Sequence, residues 1–348
     1  MKRTIWIFAI VATALTACRP APGAKGFVDV DPEGVISLAV GQTLDLAAPV
    51  SAFRLTDYFE EVGMILPGDD PQTFLEFSDF STFDDESLLA HSFERVIRVS
   101  LKDGSFLCEY GRQGRGPREF VQAVFCYAQD GEVYVNDMMS VCHVYAAADG
   151  SWLRDIPLSD EPVMFNNYTP LGGGLGILCY SSNSGKEQMF DIVDAGGAPV
   201  RRGTLPGNNK RTTPEEGIRI YNASRMDGAR CVTTRQGEIY KVGPGEETLW
   251  IRQDPGQYSF TDEPWLSTGI YPAGRFFFAS ISKEGSDGVV AVYDLDARAL
   301  VLRDAEGVLY ERDGQQMYLR PIFSDNGILI FADSENRDNY YCFKKINR

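Results

Sequence analysis

Between residues 87 and 343 one pattern returns six times: an apolar run, then two further alternating runs joined by a tight turn. Asp103, Asp149, Gly196, Pro244 and Asp296 mark five of the turns, and they are spaced 46, 47, 48 and 52 residues apart. Asp-Gly and Gly-Gly pairs between alternating apolar runs signal β-hairpins, because glycine accepts the positive φ of the favoured turns. The run preceding each hairpin falls at residues 87–91, 132–137, 176–180, 229–233, 275–279 and 327–332. Several copies carry one more candidate strand upstream, as at residues 123–127, which makes four strands per copy.

A unit of this size cannot bury its own apolar faces, so its stable form is a stack of neighbours. Four strands at a period near 48 residues predict an all-β, six-bladed β-propeller with four-stranded antiparallel blades. The last copy stops one strand short after residues 339–346. An orphan strand at residues 62–66 is expected to complete it and close the ring. The propeller is then expected to run from residue 55 to residue 348 as one domain. Helical periodicity is nearly absent; the best candidate is the short segment 56–61.

The first 17 residues predict an export signal. Lys2 and Arg3 precede an apolar stretch from Ile5 to Leu15, too short to span a bilayer comfortably. It ends in Leu15-Thr16-Ala17-Cys18, which resembles the bacterial lipobox, so Cys18 is the expected lipidated N-terminus of the mature chain. Residues 19–26, rich in Pro, Gly and Ala, are expected to form a flexible tether within an N-terminal segment reaching residue 54. No acidic cluster follows Cys18, which favours a periplasm-facing outer-membrane site over the cell surface.

The 348-residue chain has 33 basic and 49 acidic residues and a formal charge of −16; without the signal the balance is 31 to 49, or −18. Nucleic acid is not an expected partner, because phosphate binding needs a cationic footprint. His91 and His143 are the only histidines, which excludes a three-histidine metal centre. Six further cysteines, Cys108, Cys126, Cys142, Cys179, Cys231 and Cys342, lie in apolar runs without C-x-x-C spacing, and are expected as core thiols.

The run Tyr110-Gly111-Arg112-Gln113-Gly114-Arg115-Gly116-Pro117-Arg118-Glu119-Phe120, followed by Asp130-Gly131-Glu132-Val133-Tyr134, resembles the six-bladed β-propeller lipoproteins of Bacteroidetes. Those proteins carry a G-x-x-G-x-G-P-x-E-[FY] run and then an NHL-like blade. Leu55-Thr56-Asp57-Tyr58-Phe59 running into Met64-Ile65-Leu66-Pro67 is similar to the same family's N-terminal segment. The short connection Arg235-Gln236-Gly237 departs from the longer loops of the other blades. The resemblance implies fold and locale, but the family has no common activity to carry over.

The glycine-proline run lacks the Gly-Lys-Ser/Thr of a phosphate loop and reads as a turn-rich blade connection. If it binds, Arg112, Arg115 and Arg118 offer cationic forks to carboxylate or sulfate groups. Loops joining the second and third strands of a blade, and blade to blade, open on one face. The expected ligand face therefore includes His91, Glu94, Asn136, Asp137, Asn183, Lys186, Lys283, Glu284, Asp333 and Arg337. Asp137 and Asp333 follow corresponding strands, where a carboxylate also suits a turn. Trp152, Trp250 and Trp265 sit in or beside apolar strands and read as packing residues.

No Gly-x-Ser-x-Gly elbow and no sialidase-type Ser-x-Asp box is present. The expectation is a monomeric, non-catalytic binding or scaffold module for an envelope protein or glycan, with no cofactor. The alternative is a carbohydrate hydrolase or lyase using loop carboxylates, with or without Ca²⁺.

Overall fold

A computed structural model describes residues 23–40, 42–45, 47–65, 79–158, 167–179, 190–203, 220–234, 238–254, 266–283, 286–336 and 339–346. These residues form six antiparallel sheets, arranged as the blades of a six-bladed β-propeller. Blade 1 is Asp79–Thr82, Ser87–His91, Val96–Ser100 and Phe106–Glu109. Blade 2 is Ala123–Gln129, Glu132–Asp137, Val141–Ala146 and Trp152–Pro157. Blade 3 is Asn167–Gly172, Leu175–Cys179, Phe190–Asp194 and Pro199–Arg202. Blade 4 is Ile220–Met226, Ala229–Thr234, Ile239–Val242 and Glu247–Asp254. Blade 5 is Leu266–Ala273, Phe276–Lys283, Ser286–Asp294 and Ala299–Asp304. Blade 6 is Gln315–Asp325, Ile328–Asp333 and Tyr340–Lys345, with the hairpin strand Val308–Arg312 on its first strand.

The middle strands are apolar on both faces because each blade is sandwiched between two others. In Phe276–Lys283, Phe277 packs toward blade 4 while Phe276 and Phe278 pack toward blade 6. The same alternation produces six apolar clusters, one between each pair of neighbouring blades. The one joining Ile328, Ile330 and Cys342 of blade 6 to Leu88, Ile97 and Val99 of blade 1 closes the circle. At this size a ring of six modest cores replaces the single large core that a chain of this length would otherwise need.

Closure happens as the spacing predicts, with a shifted boundary. Phe59–Ile65 pairs antiparallel with Tyr340–Lys345, Ile65 opposite Tyr340 and Phe59 opposite Lys345. The helix expected at 56–61 is instead one 3₁₀ turn, Leu55–Asp57, followed by this strand. The ladder to the last strand fixes Glu60 and Glu61 in extended conformation and overrides their local helical pattern.

The chain upstream of residue 55 is built into the rim. Ile36–Ala39 adds to blade 4 in parallel beside Ile251–Asp254, and Val28–Val30 pairs with it outside. Val50–Ser51 adds to blade 5, opposite Leu302 and Arg303. Leu38 and Leu44 are fully buried against blades 4 and 5. Of the segment expected as a free tether, residues 23–26 are described, and Ala24 bridges Leu300.

Five of the expected core thiols, Cys126, Cys142, Cys179, Cys231 and Cys342, are buried; Cys108 is half-buried, and all six are free. Burial pushes the Cys142, Cys179, Cys231 and Cys342 thiols up, the last two to about 12. Trp250 packs edge-on against Phe277. Trp265 lies outside the described residues.

Candidate functional site

The strand order gives the ring two unlike ends. One end carries the connections from second to third strand and from blade to blade; the other carries the hairpin turns. The expected ligand face is the first.

There the glycine-proline run folds around Glu119. Its carboxylate accepts from Arg112 Nε at 2.6 Å and from the Gly116 N–H at 2.7 Å. The Gly116 N–H, then Arg112, holds this carboxyl below the usual range. Arg112 is thus committed internally, though its side chain is 79% exposed. Arg118 has φ +70° and lays its guanidinium over the Trp152 ring, 4.6 Å from the centroid. Arg115 is exposed.

Asp137 secures the end of the run. This carboxylate, 4% exposed, accepts from the N–H groups of Val121 at 3.0 Å and Gln122 at 3.1 Å. His143 stands 3.7 Å from it through Nε2 and 2.8 Å from Asp155 Oδ1 through Nδ1. Asp155 also accepts from the Trp152 indole at 2.9 Å. Burial pulls the His143 pKa down, but Asp137 and Asp155 outweigh it and leave it raised. Burial likewise lifts Asp137, and His143 with the backbone N–H groups reverses that and leaves it lowered. The chain from Asp137 through His143, Asp155 and Trp152 to Arg118 therefore locks the run onto blade 2.

The other expected residues are dispersed. His91 is buried; Val124 O takes its Nε2 proton at 3.0 Å, and its Nδ1 meets Cys126 Sγ at 3.2 Å. Burial lowers its pKa, but the Cys126 sulfur lifts it to about 9. Glu94 is exposed in the turn after blade 1's second strand. Asn136 is fully buried and ties blade 2 to blade 3, accepting from Tyr168 N at 2.7 Å and donating to Tyr168 O at 3.0 Å. Asp333 accepts from the N–H groups of Glu335 and Asn336, the turn role its position suggested. Lys283 ends its strand, and Asn183, Lys186, Glu284 and Arg337 lie outside the described residues.

At the hairpin end, the turns Asp130-Gly131, Gly173-Gly174, Asp227-Gly228 and Asn326-Gly327 each put two residues at positive φ, the tight two-residue form. Their carboxylates link blades: Gly173 N donates to Asp130 Oδ2 at 3.4 Å and Gly228 N to Asp325 Oδ1 at 2.8 Å. Arg225, on the innermost strand of blade 4, pairs with Asp325 of blade 6 at 2.7 Å and donates to Ala128 O of blade 2 at 3.3 Å. It spans the axis and ties alternate blades together. Arg230 donates to Pro170 O at 2.6 Å and to Gln129 Oε1. Burial, then the nearby Arg225 charge, lowers the Arg230 pKa.

Two clefts meet here and share Gln129, Asp130 and Glu132. One, about 380 Å³, lies between blades 2 and 3; the other, about 240 Å³, reaches toward Phe83 and Arg225. In the larger, Arg154 clamps Glu132 with both Nη atoms, at 2.5 and 2.8 Å, and Tyr134 Oη donates to the same carboxylate at 2.6 Å. These bonds, Arg154 first, hold Glu132 below the usual carboxylate range. The Tyr134 and Tyr168 rings stack behind it, centroids 5.5 Å apart. A carboxylate so engaged stays ionised, which suits a polar docking surface rather than proton delivery.

Sequence reasoning passed over Arg225, Arg230, Asp325, Glu132 and Arg154. The available signal was a charge on an innermost strand just before its turn, as in Arg225-Met226-Asp227-Gly228 and Asp325-Asn326-Gly327.

No known family profile and no curated protein matches the chain. Among solved structures, it is similar to BamB from Moraxella catarrhalis, with 12% identity and a TM-score of 0.40 over 75% of this chain and 83% of that one. It is also similar to the Swd1 β-propeller domain of Myceliophteria thermophila Cps50, with 12% identity and a TM-score of 0.43 over 74% and 79%. The computationally designed Ika8 protein gives 10% identity and a TM-score of 0.38 over 76% and 70%.

Proposed function

We propose that this chain is a lipid-anchored, non-catalytic binding or scaffold module of the bacterial cell envelope. In this reading Cys18 carries the lipid, the domain faces the periplasm from the outer membrane, and it belongs with the Bacteroidetes lipoproteins that its glycine-proline run resembles. A propeller fits a binding or scaffold role in general, and a partner protein would dock on the clefts at the hairpin end.

One observation carries the choice of binding over catalysis: Glu132, a carboxylate shared by both clefts, is clamped by both Nη atoms of Arg154 and by Tyr134 Oη. The described carboxylates with a displaced pKa, among them Glu119, Glu132 and Asp137, are all displaced downward. A glycosidase acid needs the opposite, a carboxyl raised toward neutrality. The half-buried Arg154–Glu132 clamp gives the larger cleft a fixed polar wall, as a docking site requires.

The test is reversible cross-linking and capture of the acylated protein from its native envelope, beside a glycan-binding screen. One reproducible protein partner, lost on Arg154→Glu and absent from the glycan screen, supports the reading. A bound glycan that is cleaved overturns it in favour of the carbohydrate-active alternative. Cys18→Ala is expected to abolish labelling by a fatty-acid analogue and move the protein to the soluble fraction.

A further inference from the structure

The anchor and the ring meet at a particular point on the rim. Ala24 exchanges both main-chain hydrogen bonds with Leu300, each 2.9 Å, on the fourth strand of blade 5, Ala299–Asp304. Gly23 approaches so closely that a Cβ would stand 2.5 Å from Leu300 O. Lys25 Nζ donates to Ala297 O, and Arg298 pairs with Asp29 at 3.2 Å. The chain therefore enters the ring at blade 5, and Gly23 is the first described residue.

Five residue spacings separate Gly23 from Cys18. Fully extended, they span at most about 18 Å. We propose that the rim formed by blades 4 and 5 is the membrane-facing surface of the protein, held within that distance of the bilayer. Blades 1 and 2, opposite them in a ring of six, point away. The proposal rests on the acylation of Cys18 proposed above. The ring can pivot about Gly23, but no pivot carries blade 5 beyond the reach of five residues.

The clothing of the rim follows the same division. The N-terminal strands cover the outer edges of blades 4 and 5, and Leu300 is fully buried beneath them. Among the described residues the outer strands of blades 1, 2 and 3 carry no added strand, and each exposes an apolar residue near its start: Leu107 at 48%, Leu153 at 43% and Val200 at 60%. The uncovered edges thus lie on the half of the ring that the anchor leaves free.

Energy transfer from the ring to the bilayer tests this. The full-length acylated protein, carrying Cys108→Ser and a donor dye on either Glu33→Cys or Leu153→Cys, is reconstituted into vesicles containing a rhodamine-labelled lipid. Glu33 is exposed on the hairpin added to blade 4, and Leu153 lies on the rim of blade 2. The dye at position 33 is expected to be quenched several-fold more than the dye at 153, and ten Gly/Ser residues inserted after Pro22 should shrink the difference. Equal or reversed quenching in protein that co-floats with the vesicles overturns the orientation alone. Protein that fails to co-float overturns the anchor, and the orientation with it.

Discussion

At Gly111 a missing side chain makes room for a buried hydroxyl. The residue has φ +69°, and a Cβ there would stand 2.3 Å from Tyr145 Oη, which donates to Arg118 O at 3.2 Å. Gly111→Ala is expected to cost about 1–3 kcal/mol through backbone strain and displacement of Tyr145, read as a lower denaturant midpoint with unchanged slope. His143 makes a prediction in pH. Its pKa is raised by Asp137 and Asp155, so its contribution to stability is fully present below about 6.5, its ordinary value, and is lost as pH rises through the folded-state value. Asp137 acts at the other extreme: lowered in the folded state, it loses its contribution as pH falls below its ordinary 3.8. In urea titrations at a series of pH values, His143→Gln should flatten part of the decline above pH 6.5. The shift of His91, lifted to about 9, leaves the remainder of that decline. The turn role of Asp137, which accepts from the Met139 N–H at 3.4 Å, was legible, but its bonds to Val121 and Gln122 and the pairing of His143 with Asp155 were not, because those partners lie elsewhere in the chain. The turn role of Asp333 was legible in the same way, because its partners lie two and three residues on.

At the scale of elements, the repeated strands and the strand that closes blade 6 were legible, and the strands added to blades 4 and 5 were not. A strand inside a blade sits beside its sequence neighbour, so turn chemistry and alternation announce it. Ile36–Ala39 is four residues long, and its partner Glu247–Asp254 lies more than 200 residues away, so no local signal marks it as a blade strand. The helical pattern at 56–61 was misread for the same reason: its fate is decided by Tyr340–Lys345. The clefts at the hairpin end were equally hidden, since cross-blade pairs such as Arg225 with Asp325 have no fixed spacing. Leu38 measures how firmly the borrowed hairpin is joined. Leu38→Ala empties a fully buried site and is expected to lower global stability by about 2–4 kcal/mol. A separate low-temperature transition, with the main melt unmoved, would show the hairpin to be a detachable strap.

For the whole molecule, six inter-blade clusters around one circle imply that no blade has an independent core. The native thiols report on this. Cys126 and Cys142 lie in blade 2, Cys179 in blade 3, Cys231 in blade 4 and Cys342 in blade 6. Mass-resolved alkylation along a urea gradient is expected to expose these five thiols together, at the midpoint seen by tryptophan fluorescence. Early labelling of Cys231 alone would show that blade 4 opens before the ring does.

The strand Phe59–Ile65 has a further consequence, for biogenesis. It and the borrowed strands before it find their sheet partners in blades 4, 5 and 6, the last blades in chain order. Tyr293 Oη, for example, closes on Ala39 O across 254 residues. A nascent chain holds these strands without their sheet partners until blades 4, 5 and 6 have been made in turn. Loop closure over such distances is slow, and the ring cannot complete itself early. On the export route proposed above, such an order would help keep the chain unfolded: the clasp that locks the propeller precedes blade 1, and its counterpart Tyr340–Lys345 follows the other blade strands.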